Sequence, residues 1–343
     1  MKKSNLFAIF AFMESEKKLY PMRFSPLQDG TSEVQLADLG YMESEVRNGF
    51  LAADVLGDIM DTYMDAVVGE DVFAWYGRQF PLMVSSLKGE VPVTVCPDDT
   101  TARQRWDLLG KAKLWYVVSA GPDARIGIGF EQGVSAAQLY DACLGGGVRD
   151  LLHSFAPRAG EAYVIRPGTL HAAWGGVTLL QIAQSSPLDF PLEGGGEEEG
   201  LTLEEAMDFI DYRAWRPEEA FAARDGMRPL AREDAFSISE ITLREPLQIR
   251  GGGAYSLYSC VCGAAHIQYT DAGIRQAVPF TAGETVLVPA DTETFLLVPD
   301  EERTLLLETV SPRRGDNAEG MALAEGWGDD DATDSADDIE YAN

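Results

Sequence analysis

Cysteine is scarce in this chain. Four residues in 343, Cys96, Cys143, Cys260 and Cys262, are too few for the disulfide framework of a small secreted domain, and the cytoplasm fits such usage best. Basic residues are also in deficit, 27 Lys and Arg against 56 Asp and Glu, for a net charge of −29. That balance argues against nucleic acid or an anionic membrane as partner, because phosphate binding draws on basic surface. The N-terminal apolar run, Ser4 to Phe12 after Met1-Lys2-Lys3, is too short to span a bilayer and has no small-residue cleavage site after it. It reads as an unstructured extension, or as the product of a start codon placed too early, rather than as a secretory signal.

What is present describes a folded protein, with hydrophobic residues at 45% and aromatics at 10%, and a length sufficient for two domains. Helical spacing appears in Gly49 to Val68, with Leu56, Ile59, Met60, Met64 and Val67 on one face. Further helices are expected over Asp98 to Leu109, Ser135 to Cys143, Val148 to Phe155 and Thr202 to Tyr212. The last opens on a capping-box arrangement, Thr202-Leu203-Glu204-Glu205. Between them lie strand-like runs bounded by Gly or Pro: Val91 to Cys96, Lys113 to Ser119, Arg125 to Phe130, Ala162 to Ile165 and Val177 to Ala183.

The second half repeats the strand pattern without helices. About seven strands between Phe236 and Val310, at the spacing of an antiparallel sandwich or barrel, follow one another through Ala254 to Cys260, Ala264 to Tyr269 and Thr285 to Val288. An internal echo links the halves: Ala159-Gly160-Glu161 and Ala282-Gly283-Glu284 each precede four strand residues and a Pro-containing turn, like the jelly-roll signature of cupins. The expected class is mainly β with helical insertions, as two cupin (jelly-roll β-barrel) domains. The expected organisation is an N-terminal extension (1–18), a first cupin with helical insertions (19–192), a glycine- and glutamate-rich loop with a helical connector (193–234), a second cupin (235–312) and an acidic tail (313–343). From Asp316 onward the chain has ten Asp or Glu and no Lys or Arg, a composition expected to stay disordered.

Several motifs then carry a family. Gly77-Arg78-Gln79-Phe80-Pro81-Leu82 and Leu19-Tyr20-Pro21-Met22-Arg23-Phe24 resemble segments of class I mannose-6-phosphate isomerases. Val93-Thr94-Val95-Cys96-Pro97-Asp98-Asp99 resembles that family's V-Q-V-H-P-D-D, Gly110-Lys111-Ala112-Lys113-Leu114-Trp115-Tyr116-Val117 its G-K-T-E-x-W-Y-V, and Gly168-Thr169-Leu170-His171-Ala172 its G-T-x-H-A. The resemblance implies interconversion of mannose 6-phosphate and fructose 6-phosphate at a zinc ion, with a small sugar phosphate as partner. The zinc ligands it implies fall on Thr94, Cys96, Lys113 and His171, and only the histidine is unchanged.

Cys96 and His171 are the candidate metal ligands, since thiolate and imidazole bind zinc well. Lys113 opposes them, because an ammonium has no lone pair and repels a dication. The resemblance further implies an acid/base or site-ordering role for the Glu of the family's L-L-E-I and charge stabilisation by the Arg of S-x-x-T-Y-R; the positions here are Gln181, which cannot exchange protons, and Pro191, which offers no charge. Weak or absent zinc is therefore expected. The Lys113 ammonium is expected in the space of the lost metal, with Thr94, Cys96 and His171 around it. Lys111 is either a phosphate contact or a solvated edge lysine, and His171 either a ligand or a buried hydrogen-bonded histidine. His153 and His266 read as structural, and Trp115, Tyr116 and Trp174 as packing or a sugar-stacking wall. Three functions stay open: an isomerase with unusual or no metal, a sugar-phosphate-binding bicupin without turnover, and a structural bicupin.

Overall fold

The computed structural model describes residues 18–193, 202–217 and 226–311. The expectations for the N-terminal extension, most of the glycine-rich loop and the acidic tail lie outside these residues. Among the described residues the strands form four antiparallel sheets, two in each half. In the first half a six-stranded sheet, ordered Leu27–Asp29, Ser32–Leu36, Leu82–Lys88, Val177–Gln184, Lys113–Ala120 and Ala162–Ile165, faces a five-stranded one. The second sheet runs Phe190–Pro191, Val91–Val95, His171–Trp174, Arg125–Phe130 and Leu152–Phe155. The second half pairs a six-stranded with a four-stranded sheet. No described helix is long and apolar enough to cross a membrane.

The sequence echo is a structural repeat. Gly160 and Gly283 have φ of 89° and 90°, a left-handed conformation that glycine adopts without a Cβ penalty. Their amides donate to Val117 O and Cys260 O, both at 2.9 Å. Glu161 and Glu284 then return carbonyls to the amides of Val117 (2.8 Å) and Cys260 (2.9 Å). Identical turns thus feed the strands Ala162–Ile165 and Thr285–Val288. The molecule is mainly β, with two cupin sandwiches.

Helices form where capping chemistry is present. Asp98 accepts from Thr101 N at 2.7 Å and Ser135 closes a capping box with Gln138. Thr202 does the same with Glu205, although the helix stops at Met207. Two expectations need correction. The apolar stretch from Gly49 is a short 3-10 turn Gly49–Leu51 followed by helices Leu56–Tyr63 and Asp65–Val68. Met64, at φ 47°, breaks the run between those helices. Val148 to Phe155 is not one helix: Val148–Leu151 is a 3-10 turn and Leu152–Phe155 a strand. Four apolar residues in so short a run fit either period, and the open edge of Arg125–Phe130 captures them as a strand. His153 therefore lies on a strand, where its Nδ1 meets Glu131 at 2.5 Å.

The two halves share one core. A single buried cluster includes Leu36, Met60, Leu114, Tyr116 and Leu180 from the first half and Phe236, Tyr255, Leu257 and Leu287 from the second. Chain pairing reinforces it. Met22–Arg23 from the N-terminal side pairs with Val286 and Leu287. Met227–Arg232, within the span read as a connector, pairs with Ser237–Leu243.

Candidate functional site

The strand Val177–Gln184 places the motif residues by its register with both neighbours. Ala183 lies opposite Lys113 and Gln181 opposite Trp115, so the Gly-Lys-Ala-Lys motif is fixed at the start of Lys113–Ala120. Across the sandwich His171 opens its strand opposite Thr94, and Phe190 pairs with Val95. Four separate segments thereby bring Cys96, Lys113, His171 and Asp189 together. Gly110 makes the approach possible: a Cβ there would lie 2.5 Å from the Asp98 carbonyl carbon and the Asp99 nitrogen.

The cluster is centred on an ammonium. Lys113 Nζ lies 2.8 Å from His171 Nε2 and 2.5 Å from Asp189 Oδ1. Lys111 Nζ pairs with the other oxygen, Oδ2, of the same carboxylate. Cys96 Sγ donates to Asp189 Oδ1 at 3.1 Å. His171 Nδ1 faces the Thr169 carbonyl at 3.0 Å. An N–H must lie there, which leaves the Nε2 lone pair to accept from Lys113. The ring of Trp115 stands edge-on to His171, at 5.2 Å between centroids. Four members are sealed from water, and Asp189, with 39% of its side chain exposed, is the cluster's open face.

Burial and charge set each proton. Burial pulls the Lys113 ammonium down, but Asp189, with Cys96, outweighs this and raises its pKa above the ordinary value. Burial, then the neighbouring Lys113 charge, push His171 down to about 3, so it stays neutral. Burial, then Asp189, push the Cys96 thiol up to about 12. Burial alone would raise Asp189, yet Lys111 and Lys113 overcome it and hold the carboxyl well below the usual carboxylate range. The cluster is thus two cations, one anion, a neutral imidazole and a neutral thiol.

Among the described residues, Cys96, His171 and Asp189 offer donor atoms within 4.8 Å of one another, a grouping that could hold a metal ion. Zinc needs imidazole nitrogen at about 2.0–2.1 Å and a deprotonated thiolate. Here the imidazole lone pair already accepts from Lys113, and the Cys96 thiol, pushed up to about 12 by burial and Asp189, would have to give up its proton to a metal. With Lys113 seated among these donors the set does not fit a dication.

The remaining expected residues take other places. Thr94 lies opposite His171, and its hydroxyl donates to Pro92 O at 3.0 Å along its own strand. Gln181 is buried, and its Oε1 accepts from Trp115 Nε1 at 2.9 Å; it orients the indole that borders His171. Pro191 lies on the edge strand that delivers Asp189. Lys111 is a buried ion-pair partner at 4% exposure, not a solvated edge lysine. Trp115 and Tyr116 are buried in the core. Asp189 is the residue that sequence reasoning passed over. Its signal was an acid set between two core residues, Leu188 and Phe190, downstream of two lysines that need a counter-charge.

A separate groove of about 680 Å³ is lined by Tyr163, Arg166, Thr169, Arg213, Trp215 and Arg228. Three of its arginines are paired, with Glu233, Asp211 and Glu240. It touches the cluster through Thr169, whose carbonyl holds His171.

Comparison with known proteins agrees with this architecture. No family model matches the chain. It is 25% identical over 261 residues to the Bacillus subtilis protein named Probable mannose-6-phosphate isomerase GmuF, spanning 72% of this chain and 79% of that one. It is 25% identical over 199 residues to the mannose-6-phosphate isomerase of Streptococcus mutans, spanning 55% of this chain and 63% of that one. Among solved structures, mannose 6-phosphate isomerase from Bacillus subtilis superposes with a TM-score of 0.72 at 18% identity, over 85% of this chain and 99% of that one. A phosphomannose isomerase variant from Salmonella typhimurium gives 0.68 at 12%, over 86% and 99%. In sequence and in fold the chain is a bicupin relative of the class I mannose-6-phosphate isomerases.

Proposed function

We propose that this protein is a sugar-phosphate-binding bicupin, descended from mannose-6-phosphate isomerases, in which zinc-dependent isomerisation is impaired or lost. One observation carries the reading: Lys113 Nζ, at 2.8 Å from His171 Nε2, takes the lone pair that zinc would need. The ligand class follows from the relatives' names and from the surplus positive charge of two lysines against one carboxylate. Gln181 accepts a hydrogen bond from Trp115 and has no proton to exchange, so general acid-base work by that position is absent too. Reduced, unpaired cysteines support a cytoplasmic setting.

A second reading keeps the isomerase activity. Its support is the Cys96, His171 and Asp189 donor set within 4.8 Å, which becomes available if Lys113 leaves. A coupled assay on mannose 6-phosphate, with and without added zinc, separates the two. The proposal expects no turnover in either condition and saturable binding by calorimetry. Turnover that requires zinc and disappears in Cys96→Ser would replace it with the second reading.

A further inference from the structure

We propose that Lys111 and Lys113 form an oxyanion site that Asp189 fills in the resting protein, and that a phosphate group enters by displacing the Asp189 carboxylate. This deepens the sugar-phosphate reading and rests on it for the sugar alone. The two ammoniums grip opposite oxygens of one carboxylate, Oδ1 and Oδ2. Phosphate presents two oxygens with similar spacing and more charge, and lysine binds it as a point cation. Asp189 therefore stands as an internal copy of the ligand's anionic end.

The geometry suits an exchange rather than a permanent ion pair. Both lysine side chains are 4% exposed while that of Asp189 is 39% exposed. The carboxylate is the cover that separates the lysines from water. Its backbone is held in place. Asp189 N donates to Pro187 O at 2.9 Å and Leu192 N to Val93 O at 2.8 Å. Ser186 Oγ donates to Leu109 O at 2.7 Å, while Phe190 packs on Trp106 and Phe209 with centroids 5.4 and 5.2 Å apart. The exchange asks only that the Asp189 side chain rotate toward solvent and uncover both ammoniums while its backbone stays in place. The charge count favours the incoming group as well. Two cations facing one carboxylate leave one positive charge unneutralised, which a dianion can use and a monoanionic side chain cannot.

An internal competitor lowers apparent affinity by the fraction of molecules in which the site is free. If Asp189 covers the lysines in about nine molecules of ten, its removal tightens binding about tenfold. The test titrates inorganic phosphate, in chelator-treated buffer, into full-length wild type, Asp189→Asn and Asp189→Asn/Lys111→Met by calorimetry. The expected result is phosphate binding about tenfold tighter in Asp189→Asn and lost in the double variant. Equal affinity in wild type and Asp189→Asn, or a gain that survives in the double variant, overturns the proposal. A parallel arm with mannose 6-phosphate separates the two claims. If it binds no better than phosphate while Asp189→Asn still gains, the oxyanion site stands and the sugar reading falls. Should Asp189→Asn not fold, wild type labelled at lysine Nζ supplies the test by NMR. Phosphate must then move the Lys111 and Lys113 resonances together, and shifts confined to other lysines overturn the proposal.

Discussion

At the scale of single residues, Lys113 unites the charge, the hydrogen bonds and the burial of the site. Its removal leaves Asp189 with Lys111 as a remaining partner, but it strands the His171 Nε2 acceptor in a sealed pocket. Lys113→Met is therefore expected to lower unfolding free energy by about 1–3 kcal/mol, the range for an unsatisfied buried polar group. Urea unfolding measures this, and a variant as stable as wild type would contradict it. A buried acid, Glu308, belongs to the other half. Glu308 accepts from Tyr258 OH at 2.6 Å, and burial, only partly offset by that bond, raises its pKa above 4.5. Below pH 4.5 the carboxyl is protonated in both states. As pH rises past that point the unfolded chain releases its proton first, so this residue costs stability, by at most about 1.4 kcal/mol per pH unit. Relative to Glu308→Gln, wild type should thus lose stability as pH rises from 4.5. Parallel pH curves for the two proteins would refute the assignment.

At the scale of elements, Gly110 sets how closely the lysine strand approaches the helix Asp99–Trp106. A methyl group there would meet backbone atoms of Asp98 and Asp99 at 2.5 Å, and these are tied down because Gly110 N donates to Asp99 Oδ1 at 2.8 Å. Gly110→Ala is expected to cost about 1–3 kcal/mol, as overpacking against fixed atoms does, and to weaken phosphate binding by shifting Lys111. Unchanged melting and unchanged binding would show that this contact does not position the site. The strands around it are legible because their apolar residues alternate or run continuously between turn signals: Arg125–Phe130, Ala162–Ile165 and Thr285–Val288 lie where the pattern puts them. Asp98 and Ser135 likewise mark helix starts through their caps. The edge strand Leu152–Phe155 was not legible, because four residues fit a helical face equally well and tertiary pairing decides. The motif puts Lys113 beside His171, where the structure has it. Asp189 could not be placed in this way, since its pairing with lysines 76 and 78 positions away arises from sheet register rather than from local sequence.

At the scale of the whole molecule, the shared core makes the two cupins one cooperative body. Tyr116 OH donates to Glu240 at 2.7 Å, Arg228 joins Gly160 O to Glu240, and Gln35 meets Thr285 in a buried hydrogen bond of 2.5 Å. Calorimetry is expected to give a single transition with matching calorimetric and van't Hoff enthalpies. Two resolved transitions would mean that the halves are stable apart.

The central claim is that an ammonium stands where the related isomerases are expected to hold zinc, and zinc content tests it most directly. Mass spectrometry is applied to the full chain after dialysis against excess zinc, beside Lys113→Glu, which replaces the cation with a carboxylate next to Cys96, His171 and Asp189. The account predicts a wild type with far less than one zinc per chain and a variant that gains zinc and a zinc-dependent rise in melting temperature. One zinc per wild-type chain, lost on substitution of His171, would show that Lys113 yields to the metal and would contradict the account.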